Sequence, residues 1–340
     1  MKNIPFTLLM ILSCLSLCVT AEDRLAEIEA GVPWTYKPFR NDADDFQFVV
    51  IGDRTGGHRP GIFADAMAKI NLLQPEFVVS VGDLIEGYTE DSQTLEQQWD
   101  ELDSMVDSLD MPFFYTVGNH DISNNVMRDL WRQRLGKDYY AFIYKNVLFL
   151  SLNTEDPPIT LPPEAVAGQL KLEAMMQEDP ERTQARLLAR SREQGNPPSL
   201  PGTAHISDAQ VAFVEKTLAE NRDVRWTILL MHKPAWEYGN EAFFRIESML
   251  ADRDYTVIAG HEHYYLYNRR HGRDYVDMAT TGGIWLRDGV GRVDHIAWVT
   301  MGDEGPRFAN IRLDGIFDKT GPGGESSEGR QTGDAPPAAP

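Results

Sequence analysis

Val117-Gly118-Asn119-His120-Asp121 decides how this chain is read. Three polar side chains in a row follow an apolar, β-prone run at residues 112–117, and burying them at a strand end is costly unless something uses them. The same grammar recurs at four other places. Gly52-Asp53 follows Phe46–Ile51, Gly82-Asp83 follows residues 77–81, His232 follows residues 226–231, and Gly260-His261-Glu262-His263 follows Tyr255–Ala259. Strands that stop together on one edge of a sheet converge their following loops, where open α/β sheets bind ligands. The donors gathered there are oxygen and imidazole, which points to a metal site.

Working outward, strand and helix patterns alternate from residue 46. Helical patterns at 61–73, 91–109 and 124–135 separate the first apolar runs, the rhythm of an α/β fold with crossover helices. Residues 139–144 and 147–152 flank Lys145-Asn146 and read as a hairpin, since Asn tolerates the positive φ of a tight turn. A helical pattern at 163–192, broken at Pro180, reads as an inserted arm within residues 156–204. Ser207 and Gln210 read as a capping box opening the next helix. The late runs at 255–259, 264–267, 274–279, 294–300 and 308–313 favour a second, largely antiparallel sheet.

The chain has 340 residues, 42% hydrophobic and 25% charged, a globular composition. Residues 1–21 read as an export signal: Lys2, an apolar run at 4–19 too short for a membrane span, then Val19-Thr20-Ala21 as the cleavage site. The protein is thus expected outside the cytoplasm, periplasmic or extracellular, with no stable membrane insertion after cleavage. Both cysteines, Cys14 and Cys18, lie inside that segment, so the mature domain at 22–318 has neither thiolate ligands nor a cysteine nucleophile. Residues 319–340, rich in Gly, Ser, Glu and Pro, read as a disordered tail. A formal charge of −20 opposes docking onto nucleic acid, although a small phosphate ester is still accommodated where a metal dominates the local field. The sequence carries no indication of oligomeric state.

Each donor has a plainer reading by itself. An Asp after Gly at a strand end often only caps the next helix, and His232 could be a core histidine. His261 and His263, read as alternating on an extended segment, would point to one side. Carboxylate, amide and imidazole donors without thiolate suit manganese, iron or zinc. Two such ions about 3.5–4 Å apart can clamp a phosphoryl group.

Taken in order, Gly52-Asp53, Gly82-Asp83, Gly118-Asn119-His120-Asp121, His232 and Gly260-His261-Glu262-His263 resemble the calcineurin-like metallophosphoesterase superfamily. The likeness spans residues 46–300, with Tyr139-Tyr140-Ala141-Phe142 and Asn146-Val147-Leu148-Phe149 as companions. It implies an α/β, four-layer αββα sandwich with two central mixed sheets and a metal site at the strand C-terminal ends. It implies a hydrolase of phosphate mono- or diesters using two metal ions. One ion would take Asp53, Asp83 and His263, the other Asp83, Asn119, His232 and His261. His120 would be the catalytic group that holds phosphate or protonates the leaving oxygen, with Asp121 orienting its ring. Arg54 and Asn119 would face the substrate.

One position departs from the family pattern. A histidine is usual two residues after the first aspartate, and here Asp53-Arg54-Thr55 places a threonine. Thr55, a water, or His58 reaching back across Gly56-Gly57 would complete the first site, Thr55 or water being favoured. The alternative to an enzyme is a degenerate, non-catalytic binding protein on the same fold. Arg54 is equally read as a salt-bridge partner of one of the many acids.

Overall fold

The computed structural model describes residue 40, residues 42–195 and residues 203–322. The export-signal reading, and the tail from residue 323 onward, lie outside these residues. A compact unit begins at Asp44.

The apolar runs form strands because their residues are buried on both faces. In β1 (Phe46–Ile51), Phe46, Phe48 and Val50 enter one core while Val49 and Ile51 enter another, the period-two alternation of a pleated strand. β2 (Phe77–Ser80) divides the same way, with Phe77 and Val79 on one side and Val78 on the other. So does β5 (Val147–Ser151), which joins β4 (Tyr140–Tyr144) through Lys145 and Asn146 at φ 40° and 59°. β6 (Trp226–Leu230) and β7 (Tyr255–Ala259) run parallel to β5. Such strands need cover on both sides, which is why helices flank them.

Helices α1 (Ile62–Leu73), α2 (Ser92–Val106) and α3 (Asn125–Arg134) cover the first sheet through Met67, Ile70, Trp99 and Trp131. Helices α6 (Asp208–Glu220) and α7 (Glu241–Met249) cover the second through Val211, Val214, Phe243 and Ile246. Between the sheets lies an aromatic-rich core in which Phe142 and Phe149 stack at 4.6 Å. The result is a four-layer αββα sandwich with two mixed sheets.

The late strands do not form a sheet of their own. β8 (Leu266–Arg270) and β9 (Arg273–Asp277) extend the second sheet, with β9 parallel to β7. β10 (His295–Gly302) and β11 (Gly305–Arg312) cross to the first sheet, where β10 lies antiparallel to β1. β3 is short, Phe113–Phe114, because Ser80 Oγ takes the Thr116 N–H at 3.0 Å and the chain leaves the ladder there. The arm at 163–192 is two helices, α4 (Pro163–Glu178) and α5 (Pro180–Glu193), hinged at Asp179, whose carboxylate caps α5. Ser207 caps α6, but Gln210 turns inward to Asn153 and Asp156 instead of closing the capping box. Among the described residues no helix is long and apolar enough to cross a membrane.

Candidate metal centre

β1, β2 and β3 run parallel in one sheet and β6 and β7 in the other, and all five deliver their following loops to one place. Asp53 comes from β1 and Asp83 from β2, Asn119 and His120 lie past β3, and His232, His261 and His263 follow β6 and β7. Asp53 Oδ1 accepts the His261 N–H at 2.9 Å, joining loops 208 residues apart. Asp83 Oδ1 accepts the His120 N–H at 2.9 Å. The glycines before the donors are required by this crowding. A Cβ on Gly118 would lie 2.2 Å from Asp83 Oδ1, and Gly82 has φ 95° with Gly118 N 2.7 Å from where its Cβ would be.

Two triads of ligand atoms emerge, each within 4.8 Å: Asp53, Asp83 and His263, and Asp83, His232 and His261. They share Asp83. His232 Nδ1–H donates to Val81 O at 2.8 Å, so its Nε2 faces inward, 3.1 Å from Asp83 Oδ2 and 3.0 Å from Asn119 Oδ1. His263 is fixed in the same tautomer by Ile284 O, leaving Nε2 3.4 Å from Asp53 Oδ1. Imidazoles anchored through one nitrogen to a carbonyl present the other to a metal.

The donors lie in a tense electrostatic field. Burial pushes the Asp83 carboxyl up, but His232 and His120 outweigh it and hold the group well below the ordinary range. Burial lowers His232, yet Asp83 and Asp53 lift it to about 9. His261 is pushed well down by burial and by His232. Asp53 Oδ2 is fully buried and has no hydrogen-bond partner among the described residues. A divalent cation fits this set, because it satisfies that oxygen and suits carboxylate, amide oxygen and neutral imidazole.

Three expectations are corrected here. Asp121 does not orient the His120 ring. Its two oxygens accept the N–H groups of Asp83, Leu84, Ile85 and Gly118 at 2.8–3.2 Å, so it is the buried core of the turn carrying Asp83. The His120 ring is aimed by its Nδ1–H donating to Glu86 O at 2.7 Å. Arg54 is not brought to the cluster: its guanidinium is spent on Leu84 O and on Glu101. His261 and His263 do not alternate on a strand. They sit in a bend at φ 72° and 48°, and Asp83 is at 57°, left-handed conformations that cost side-chain-bearing residues about 1–3 kcal/mol each.

At the departing position, His58 does not reach the cluster. Its Nδ1 pairs with Glu86 Oε1 at 2.8 Å, and Glu86 also accepts the backbone N–H groups of Gly57 and His58. Burial raises the Glu86 carboxyl, but His58 and His120 more than offset this and hold it at about 2. Thr55 is fully buried at the edge of this group. Reading the sequence missed the importance of Glu86, of Gln169, whose amide lies 3.3 Å from His120 Nε2, and of the buried Lys233–Glu155 ion pair at 2.7 Å. None carries a motif. Glu86, just after Asp83, and Lys233, beside His232, have a positional hint alone.

A two-sheet sandwich with paired carboxylates, imidazoles and an amide at its strand ends defines a metal-dependent phosphoester hydrolase. The chain belongs to the calcineurin-like phosphoesterase family, whose profile matches residues 46–265. Among solved structures it is similar to a dimetal phosphatase from Danio rerio, at TM-score 0.50 and 14% identity over 79% of this chain and 99% of that one. It is also similar to a purple acid phosphatase from yellow lupin seeds, at TM-score 0.51 and 14% identity over 83% of this chain and 54% of that one. These likenesses concern the fold. A search of curated proteins finds no match.

Proposed function

We propose that the protein is an exported phosphoesterase that hydrolyses small phosphate mono- or diesters at a two-metal centre. The observation that supports this most is the pair of donor triads sharing Asp83. Asp53, Asp83 and His263 would hold one ion, and Asp83, Asn119, His232 and His261 the other. Bound there, manganese, iron or zinc would supply Lewis acidity toward the phosphoryl oxygens and make water a nucleophile at neutral pH. His120 stands outside both triads and protonates the leaving oxygen through Nε2, its ring held by Glu86 O. In place of a histidine at position 55, the threonine hydroxyl or a water would complete the first ion's donors.

The degenerate, non-catalytic alternative has little support, since decay of an unused site should remove more than one donor. The test is metal content and turnover of an aryl phosphate monoester and diester after loading with manganese, zinc or iron. Metal retention with turnover of either ester is expected. A protein inert with all three metals sinks the reading. Export rests on residues 1–21, and is checked by locating the mature chain outside the cytoplasm with Glu22 as its first residue.

A further inference from the structure

Beside the metal centre lies a groove of about 450 Å³. One wall is Tyr88 and Asn124, and the other is the start of the arm, with Leu161, Val166, Ala167 and Leu170. Leu170 is 45% exposed. Tyr88 ties the groove to His120. The Tyr88 ring meets the His120 ring edge-on at 4.6 Å, and Asn119 Nδ2 donates to Tyr88 Oη at 2.8 Å. Gln169, the residue before Leu170, reaches His120 Nε2. Among the described residues no lysine, arginine or histidine lines the groove, and Glu90 is the one charged residue there.

We infer that this groove receives the leaving alcohol of the substrate, and that the alcohol is apolar and uncharged. The inference rests on the phosphoesterase reading above. During hydrolysis a water oxygen forms a new bond to phosphorus as the ester P–O bond breaks. His120 Nε2–H gives its proton to the departing alkoxide, and the proton released by the water returns to the imidazole. The departing oxygen therefore sits at His120 Nε2, and its substituent extends between Tyr88 and the arm. An aliphatic or aromatic group there buries against Val166, Ala167 and Leu170, while a carboxylate or further phosphate meets Glu90 with no cation to offset it.

Benzyl, ethyl and 3-carboxypropyl phosphate test this on the metal-loaded protein, because their alcohols differ in size and charge more than in leaving ability. The expected kcat/KM is about tenfold higher for benzyl than for ethyl phosphate, and lower for 3-carboxypropyl than for ethyl. Leu170→Asp and Ala167→Asp, both at exposed positions, should each remove the benzyl preference while leaving metal content unchanged. Equal rates for benzyl and ethyl esters, unaffected by either variant, overturn the groove and leave the phosphoesterase reading standing. Benzyl alcohol binding, followed by saturation-transfer NMR, separates the other case. If Leu170→Asp abolishes that binding but no ester is ever cleaved, the groove stands as an alcohol site and the phosphoesterase reading falls.

Discussion

Asp83 serves both triads, whereas Asp53 serves one, and this asymmetry makes their substitutions distinguishable. Asp83→Ala should lose both ions, and Asp53→Ala one, read as metal per chain by elemental analysis after dialysis. Equal losses in the two variants would mean that Asp83 does not bridge. His120→Ala should retain the wild-type metal content while turnover falls about 10²–10⁴-fold, the usual reach of a positioned acid. If that variant also comes out metal-free, His120 is a ligand and its assigned role is wrong. The donor residues were readable because they follow strand ends, with Asp53, Asp83, Asn119 and His261 directly behind a glycine, a local pattern. Asp121 was misread because its partners, the N–H groups of residues 83–85, are 36–38 residues away and backbone donors leave no mark in a sequence.

At the scale of elements, strands buried on both faces were legible, since period-two burial is written in residues such as Phe46, Phe48 and Val50. Which sheet a late strand joins was not. An edge run such as β11 has the same alternation whether it pairs with β10 in the first sheet or with β9 in the second, and the choice is made by contacts far along the chain. The arm was legible as helix, but its placement over His120 depends on single side chains such as Gln169 and Met176. Its hinge offers a clean perturbation. Asp179 Oδ1 accepts the Arg182 N–H at 3.0 Å on an exposed helix start, so Asp179→Ala should weaken α5 by about 1 kcal/mol. Hydrogen exchange should quicken in Pro180–Glu193 while β1 and β6 keep wild-type protection. Uniform loss of protection across the molecule would mean that the arm folds as one unit with the sandwich.

The two sheets are stitched where the chain passes from β9 to β10, and His295 is the stitch. Its Nε2 accepts the Ala279 N–H at 3.1 Å, so Nδ1–H donates to Asn310 Oδ1, while its own backbone pairs with Thr280 and Thr281. A proton on Nε2 would set donor against donor in a fully buried place. Burial accordingly holds His295 at about 4, against 6.5 in an exposed chain, despite the opposing pull of Asn310 and Asp294. Between those values the unfolded chain binds the extra proton and the folded one does not. The contribution is therefore complete above pH 6.5 and is lost as pH falls toward 4, a change on the order of 3 kcal/mol. His295→Gln keeps an acceptor for Ala279 N–H and removes the titration. In urea unfolding from pH 7.5 down to 4.5, wild type should lose on the order of 2–3 kcal/mol more than the variant. Parallel stability curves for the two proteins would place the acid sensitivity elsewhere and leave His295 as packing alone.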